Sequence, residues 1–101
     1  MRLMIMFDLP MTSSENRRNY RKFRKALISE GFLMMQFSVY VRVCPDSKNA
    51  KSIEKRVGAI APKDGLVQAV MLTEKQYQAM HFISGEPSHD ILNSAERTIM
   101  I

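Results

Sequence analysis

Apolar and polar positions follow two rhythms along this chain, and the rhythm changes several times. Residues 2–7, RLMIMF, form an almost unbroken apolar run that Pro10 halts too early for a helix. A short apolar run cut off by proline predicts a buried strand, and here it closes on a carboxylate, Asp8. Thr12-Ser13-Ser14-Glu15 has the spacing of a capping box, with Thr12 as N-cap and Glu15 three residues on. It predicts a helix reaching about Glu30, with Gly31 at the C′ position.

Period two takes over in MQFSVYVRVC at 35–44, where Phe37, Val39, Val41 and Val43 alternate with Gln36, Ser38, Tyr40 and Arg42. That is the pattern of one half-buried strand, beginning as early as Phe32 if it is bent or split around Met34-Met35. Pro45-Asp46-Ser47 supplies turn and cap for a second helix. Its apolar stripe is Ala50, Ile53, Val57 and Ile60, and Pro62 and Gly65 end it. LVQAVML at 66–72 predicts a third strand. Thr73 and Gln76 then repeat the capping-box spacing, opening a short helix through about Met80. His81–Ser84 reads as a fourth short strand before a turn at Gly85-Glu86-Pro87. Residues 88–96 read as loop and RTIMI at 97–101 as a last strand.

This order predicts an α+β sandwich of ferredoxin-like type, an antiparallel sheet of four to five strands with two main helices on one face. The expected organisation is a single domain over residues 1–101, with residues from about 88 to 101 as a C-terminal arm. An apolar terminal strand of five residues is a candidate for joining the sheet edge of another subunit.

Charge sharpens the picture. The chain carries a net +5, but residues 1–63 hold 13 Lys or Arg against 5 Asp or Glu, whereas residues 64–101 hold 2 against 5. A basic body with an acidic end predicts a polyanion at one surface and another partner at the other. The single cysteine, Cys44, rules out an internal disulfide and reads as a small buried residue. No apolar run approaches the length of a membrane span, and the expected compartment is the cytoplasm.

Most of the positive charge sits on the first helix. At 100° per residue Arg17, Arg18, Arg21, Lys22, Arg24 and Lys25 fall within an arc of about 160°. Tyr20, Phe23 and Leu27 share an arc of about 60° outside it. No acid is interleaved among the six cations, so like charges face each other at i, i+4, which costs a few tenths of a kcal/mol per pair. Such a ridge suits phosphate binding with strong salt dependence and little sequence preference, or else forms a solvated basic face. Lys48, Lys51, Lys55 and Arg56 add a weaker face on the second helix. No aromatic pattern of an RNA-recognition sheet is evident, so readout of unpaired bases is not expected.

Catalytic constellations are scarce. There is no HExxH, CxxC, glycine-rich phosphate loop or nucleophile elbow, and His81 and His89 are too few to make a metal site. Asp8 has two readings. It caps the turn that follows by accepting N–H bonds from residues 10–12, or it is a hard oxygen ligand for Mg²⁺ or Mn²⁺. One carboxylate makes a poor cage, and a two-fold dimer would supply a second.

The strand ending in MFDLP, the helix RKFRKALISEGF, the strand QFSVYVRV and the stretch TEKQYQAM-HFISGE resemble the CRISPR-associated Cas-two family, in the variant found in type II systems. The resemblance covers nearly the whole chain. It implies a ferredoxin-like homodimer whose C-terminal strands cross to the partner subunit. It also implies a place between two dimers of the CRISPR integrase, where the pair binds double-stranded DNA and helps set the length of DNA captured as a new spacer. It further implies a metal-dependent endonuclease acting on single-stranded RNA or double-stranded DNA, with Asp8 as metal ligand and catalytic carboxylate. Many relatives carry tyrosine before that aspartate, and this chain has Phe7. Three roles stand side by side on the residues: a DNA-holding scaffold, an endonuclease, and a toxin-like endoribonuclease acting alone.

Overall fold

In the computed structural model, which describes residues 1–87, the opening apolar run becomes β1 (Arg2–Asp8). The first helix, α1 (Ser14–Ser29), follows, then β2 (Leu33–Gln36), β3 (Val39–Val43), α2 (Ser47–Ile60), β4 (Leu66–Leu72) and α3 (Glu74–Gln78). The predicted loop at 88–96, the predicted strand at 97–101, and the arm they would form lie outside the described residues.

The sheet is four-stranded and antiparallel, in the order β2-β3-β1-β4. β1 is central, pairing Ile5 with Tyr40 of β3 and with Ala69 of β4. Leu3, Ile5 and Phe7 alternate towards α1 and α2, where they meet Phe23, Leu27, Ala50, Ile53 and Val57 in one buried cluster. Phe7 anchors that core. Its ring packs edge-on against Tyr20 and Phe23 and stacks on Tyr40, with centroids 5.7, 5.1 and 5.7 Å away. The architecture is the expected α+β sandwich, βαββαβ with both long helices on one face.

Local signals placed the elements well and their ends less well. The N-cap of α1 is Ser13, whose side chain accepts from the Asn16 N–H at 3.0 Å. Thr12 was one residue too early, because a cap must reach the N–H three residues on and Ser13 does so from an extended backbone. At the other end Gly31 takes φ +90°. Gly31 N–H donates to the Ile28 carbonyl and Phe32 N–H to Leu27, a Schellman closure. Asp46 caps α2, accepting from Asn49 N–H at 2.7 Å. Thr73 and Gln76 complete a reciprocal capping box on α3.

Two strand predictions change. The period-two segment at 35–44 is not one strand but the end of β2, a two-residue turn at Phe37-Ser38, and β3. The register shifts at Met34–Gln36, where a bend was expected, but the chain reverses at Ser38, which adopts φ 66°. A hairpin reversal built on Phe-Ser carries none of the Gly or Asn that normally marks one. His81–Ser84 forms no strand, and the short helix predicted before it is present as α3, ending at Gln78. In α2 the apolar stripe buries Ala50, Ile53 and Val57, whereas Ile60 at its end is 46% exposed.

The period-two pattern in β3 also points the other way from a simple apolar-in reading. Tyr40 belongs to the core beneath the helices, its hydroxyl accepting from Arg24 Nε at 2.9 Å. Val41 faces the opposite side with Tyr77 of α3, flanked by Met35, Leu72 and Met80. The sheet face away from α1 and α2 is therefore rich in apolar side chains, and Leu33, Val43, Leu66 and Val70 remain exposed.

Candidate nucleic-acid interface and carboxylate cleft

α1 displays its cations as the helical spacing predicts. Phe23 and Leu27 are buried, and Arg17, Arg18, Arg21, Lys22, Arg24 and Lys25 are all exposed. They are not equivalent. Arg17 donates through Nη1 to the Met11 carbonyl at 3.2 Å, and Arg24 is held by the Tyr40 hydroxyl. Arg18, Arg21, Lys22 and Lys25 make no ion pair or side-chain hydrogen bond among the described residues. Those four form the freest part of the ridge. On α2, Arg56 is turned aside by Glu30, with Nε 2.7 Å from Oε2, tying the second helix to the end of the first. This contact removes one of the four cations expected on the weaker basic face.

Asp8 ends β1 opposite Leu66 of β4. Its side chain is exposed and accepts no hydrogen bond among the described residues, so the turn-capping role is not played. Alternation along β1 explains the split between neighbours: Phe7 points into the aromatic core, and Asp8 points to the other face. Position 7 is thus a packing position, with Phe7 only 6% exposed. Asp8 lies in a cleft of about 260 Å³ that it shares with Met6, Phe37, Ser38, Val39, Leu66 and Gln68.

Behind the cleft the backbone is closely fitted. Gly65 has φ +97°, and a Cβ there would lie 2.6 Å from the Asp8 carbonyl oxygen. The turn before β4 can press against the end of β1 only because residue 65 has no side chain. On the other flank, Phe7 N–H donates to the Ser38 carbonyl at 3.0 Å, which pins the hairpin tip to the end of β1. The Tyr20 and Ser38 hydroxyls approach to 3.4 Å. Sequence reasoning missed Phe37, Ser38 and Gln68 as neighbours of Asp8, because a continuous strand carries residues 37 and 38 away from it.

The donor set decides what ion this carboxylate could hold. No group of three or more His, Cys, Asp and Glu side chains gathers among the described residues. A single exposed carboxylate fits no tightly caged ion. It does fit Mg²⁺, which keeps several waters and takes one or two protein carboxylates.

The chain matches the family model described as CRISPR associated protein Cas2 over residues 1–80. It belongs to the Cas2 family. A CRISPR-associated endoribonuclease Cas2 of Lacticaseibacillus rhamnosus is 60% identical across the full length of both chains. That of Ligilactobacillus salivarius is 57% identical and that of Treponema denticola 44% identical, again over both full lengths. The crystal structure of Streptococcus pyogenes Cas2 at pH 6.5 superimposes with a TM-score of 0.61 at 17% identity, covering 83% of this chain and all of that one. The ferredoxin-like fold is shared, and membership places this chain in CRISPR systems. No helix among the described residues is long and apolar enough to cross a membrane.

Proposed function

We propose that this Cas2 protein acts in CRISPR adaptation as a homodimeric scaffold, holding double-stranded DNA by its phosphates alongside the CRISPR integrase. The observation that carries this reading is the run of four exposed cations on α1 that no acid neutralises: Arg18, Arg21, Lys22 and Lys25. Backbone phosphates are the natural counter-charge for such a ridge, and Arg17 and Arg24 border it. The dimer is supported by the apolar sheet face away from the helices, which water would otherwise cover. The C-terminal segment, with the strand expected at 97–101, belongs to the same proposal as an arm onto the partner sheet.

A second reading, metal-dependent phosphodiester hydrolysis at Asp8, is favoured by an exposed carboxylate with no internal partner in a cleft. The relatives named endoribonucleases support it. Asp8, alone or with its mate across the two-fold axis, would hold Mg²⁺ or Mn²⁺. A bound ion would neutralise phosphate charge and lower the pKa of its water. The chain's own part is to keep that carboxylate unpartnered and fixed between the Gly65 turn and the Phe37-Ser38 tip.

The two readings separate by mutation. Neutralising Arg18, Arg21, Lys22 and Lys25 together should weaken duplex binding and flatten log K against log salt by about 0.9 per lost phosphate contact. Asp8→Ala should leave both unchanged while abolishing divalent-dependent cleavage. A quadruple variant binding duplex as tightly as the parent at every salt concentration would refute the scaffold assignment.

A further inference from the structure

Phe37 is the most exposed aromatic side chain among the described residues. Its side chain is 84% exposed at the tip of the β2–β3 hairpin, on the rim of the cleft that holds Asp8. An exposed aromatic on a loose loop would mean little. This one stands on a fixed mount: Ser38 beside it is held at φ 66°, with its carbonyl bonded to Phe7 N–H and its hydroxyl beside Tyr20. The same strand end that carries Asp8 therefore fixes the position of the Phe37 backbone.

We infer that Phe37 is a stacking platform for an unpaired base, one that seats a single-stranded polynucleotide across the Asp8 cleft. Charge favours this occupant over an apolar one. Tyr20 touches Ser38, and Arg24 touches Tyr40, so one side of α1 runs beside β3. Arg17, Arg24 and Arg21 lie about 60°, 40° and 100° round the helix from Tyr20, all in the same sense. Arg17 and Arg24 therefore stand on the β3 side of α1, the side of the hairpin, where the phosphates of a strand leaving Phe37 towards the helix layer would meet them. Gln68, across the cleft, offers an exposed amide that can donate or accept at a base edge. A duplex keeps its bases stacked on one another and gains nothing from Phe37, so the two kinds of nucleic acid would use different parts of the same molecule.

This inference rests on the nuclease reading of Asp8 and can fail separately from it. The chain contains no tryptophan, so Phe37→Trp in the full-length protein introduces a lone indole reporter. Single-stranded oligouridylate and oligothymidylate, added in chelator so that nothing is cut, should quench that indole. Duplex DNA should not. Phe37→Ala should weaken binding of both single strands roughly ten-fold, the loss of one stacked base. Its duplex affinity and oligomeric state should stay unchanged, and Asp8→Ala in the Phe37→Trp background should keep the quenching. If the parent binds single strands but the indole is not quenched, the platform is refuted and the nuclease reading survives. If the parent binds no single strand at all, the platform is refuted and any cleavage at Asp8 is confined to duplex. If Phe37→Ala instead dissociates the protein, Phe37 is a subunit contact and not a base platform.

Discussion

Asp8 and Phe7 show how one step along a strand separates two kinds of work. Phe7 fills an aromatic core, and truncating it would cost about 3–5 kcal/mol. Asp8 stays in water with its lone pairs free. What fixes Asp8 is backbone, and the critical residue is Gly65. Gly65→Ala forces an L side chain into φ +97° and against the Asp8 carbonyl. It should destabilise the fold by roughly 1–3 kcal/mol, and any divalent-dependent cleavage should fall by more than the folded fraction does. Thermal melting read beside cleavage by the folded protein tests this; equal losses would make Gly65 purely structural. Asp8 was legible in the sequence as a charge in an unlikely place. Phe37 was not, because a reversal on Phe-Ser with no glycine leaves no mark, and period two carried the eye straight through it.

At the scale of elements, α3 is the piece whose attachment the sequence concealed. Its capping box announced where it starts, but nothing announced that Arg2 would hold it. Arg2 is 2% exposed on the sheet face. Its Nε lies 2.8 Å from Glu74 Oε1 and its Nη2 3.3 Å from Oε2, and the guanidinium sits 4.2 Å from the Tyr77 ring centroid. The Met1 ammonium adds a third charge, 3.8 Å from Glu74. The hydrogen bond from Arg2 is the main cause holding the Glu74 carboxyl below its ordinary value, against burial that pushes it up. A depressed carboxylate stabilises the folded state above its unfolded pKa, and that contribution disappears as pH falls through the folded value. Attachment of α3 should therefore be intact at neutral pH and loosen in acid below the ordinary glutamate range. Amide exchange at residues 74–78 should rise on acidification in the parent. In Glu74→Gln it should already be fast at neutral pH and change little; slow exchange there would show that Tyr77 packing suffices. Helices announced by caps and stripes were readable, whereas a clamp between residues 2 and 74 depends on tertiary placement.

For the whole molecule, the layering of two helices on one sheet face followed from the alternation of strands with amphipathic helices, whereas the strand order did not, because the β2–β3 hairpin read as one strand. Which sheet face was apolar did not, because Tyr40 goes inward as a large aromatic with a satisfied hydroxyl while valines face out. The unneutralised flank of α1 has a further consequence. Arg17/Arg21, Arg18/Lys22 and Arg21/Lys25 repel along the helix, and mobile ions screen that repulsion. The melting temperature of the free protein should climb as sodium chloride is raised from low concentration, over the same range in which the proposed hold on duplex would weaken. A flat or falling melting curve would show that the strain is relieved internally. A short polyanion, by occupying the flank, should raise the melting temperature far more than the same charge as simple salt. Dilute buffer would then be the least comfortable medium for the empty protein and the best for the proposed capture of DNA, a reason to look for it already loaded whenever ionic strength is low.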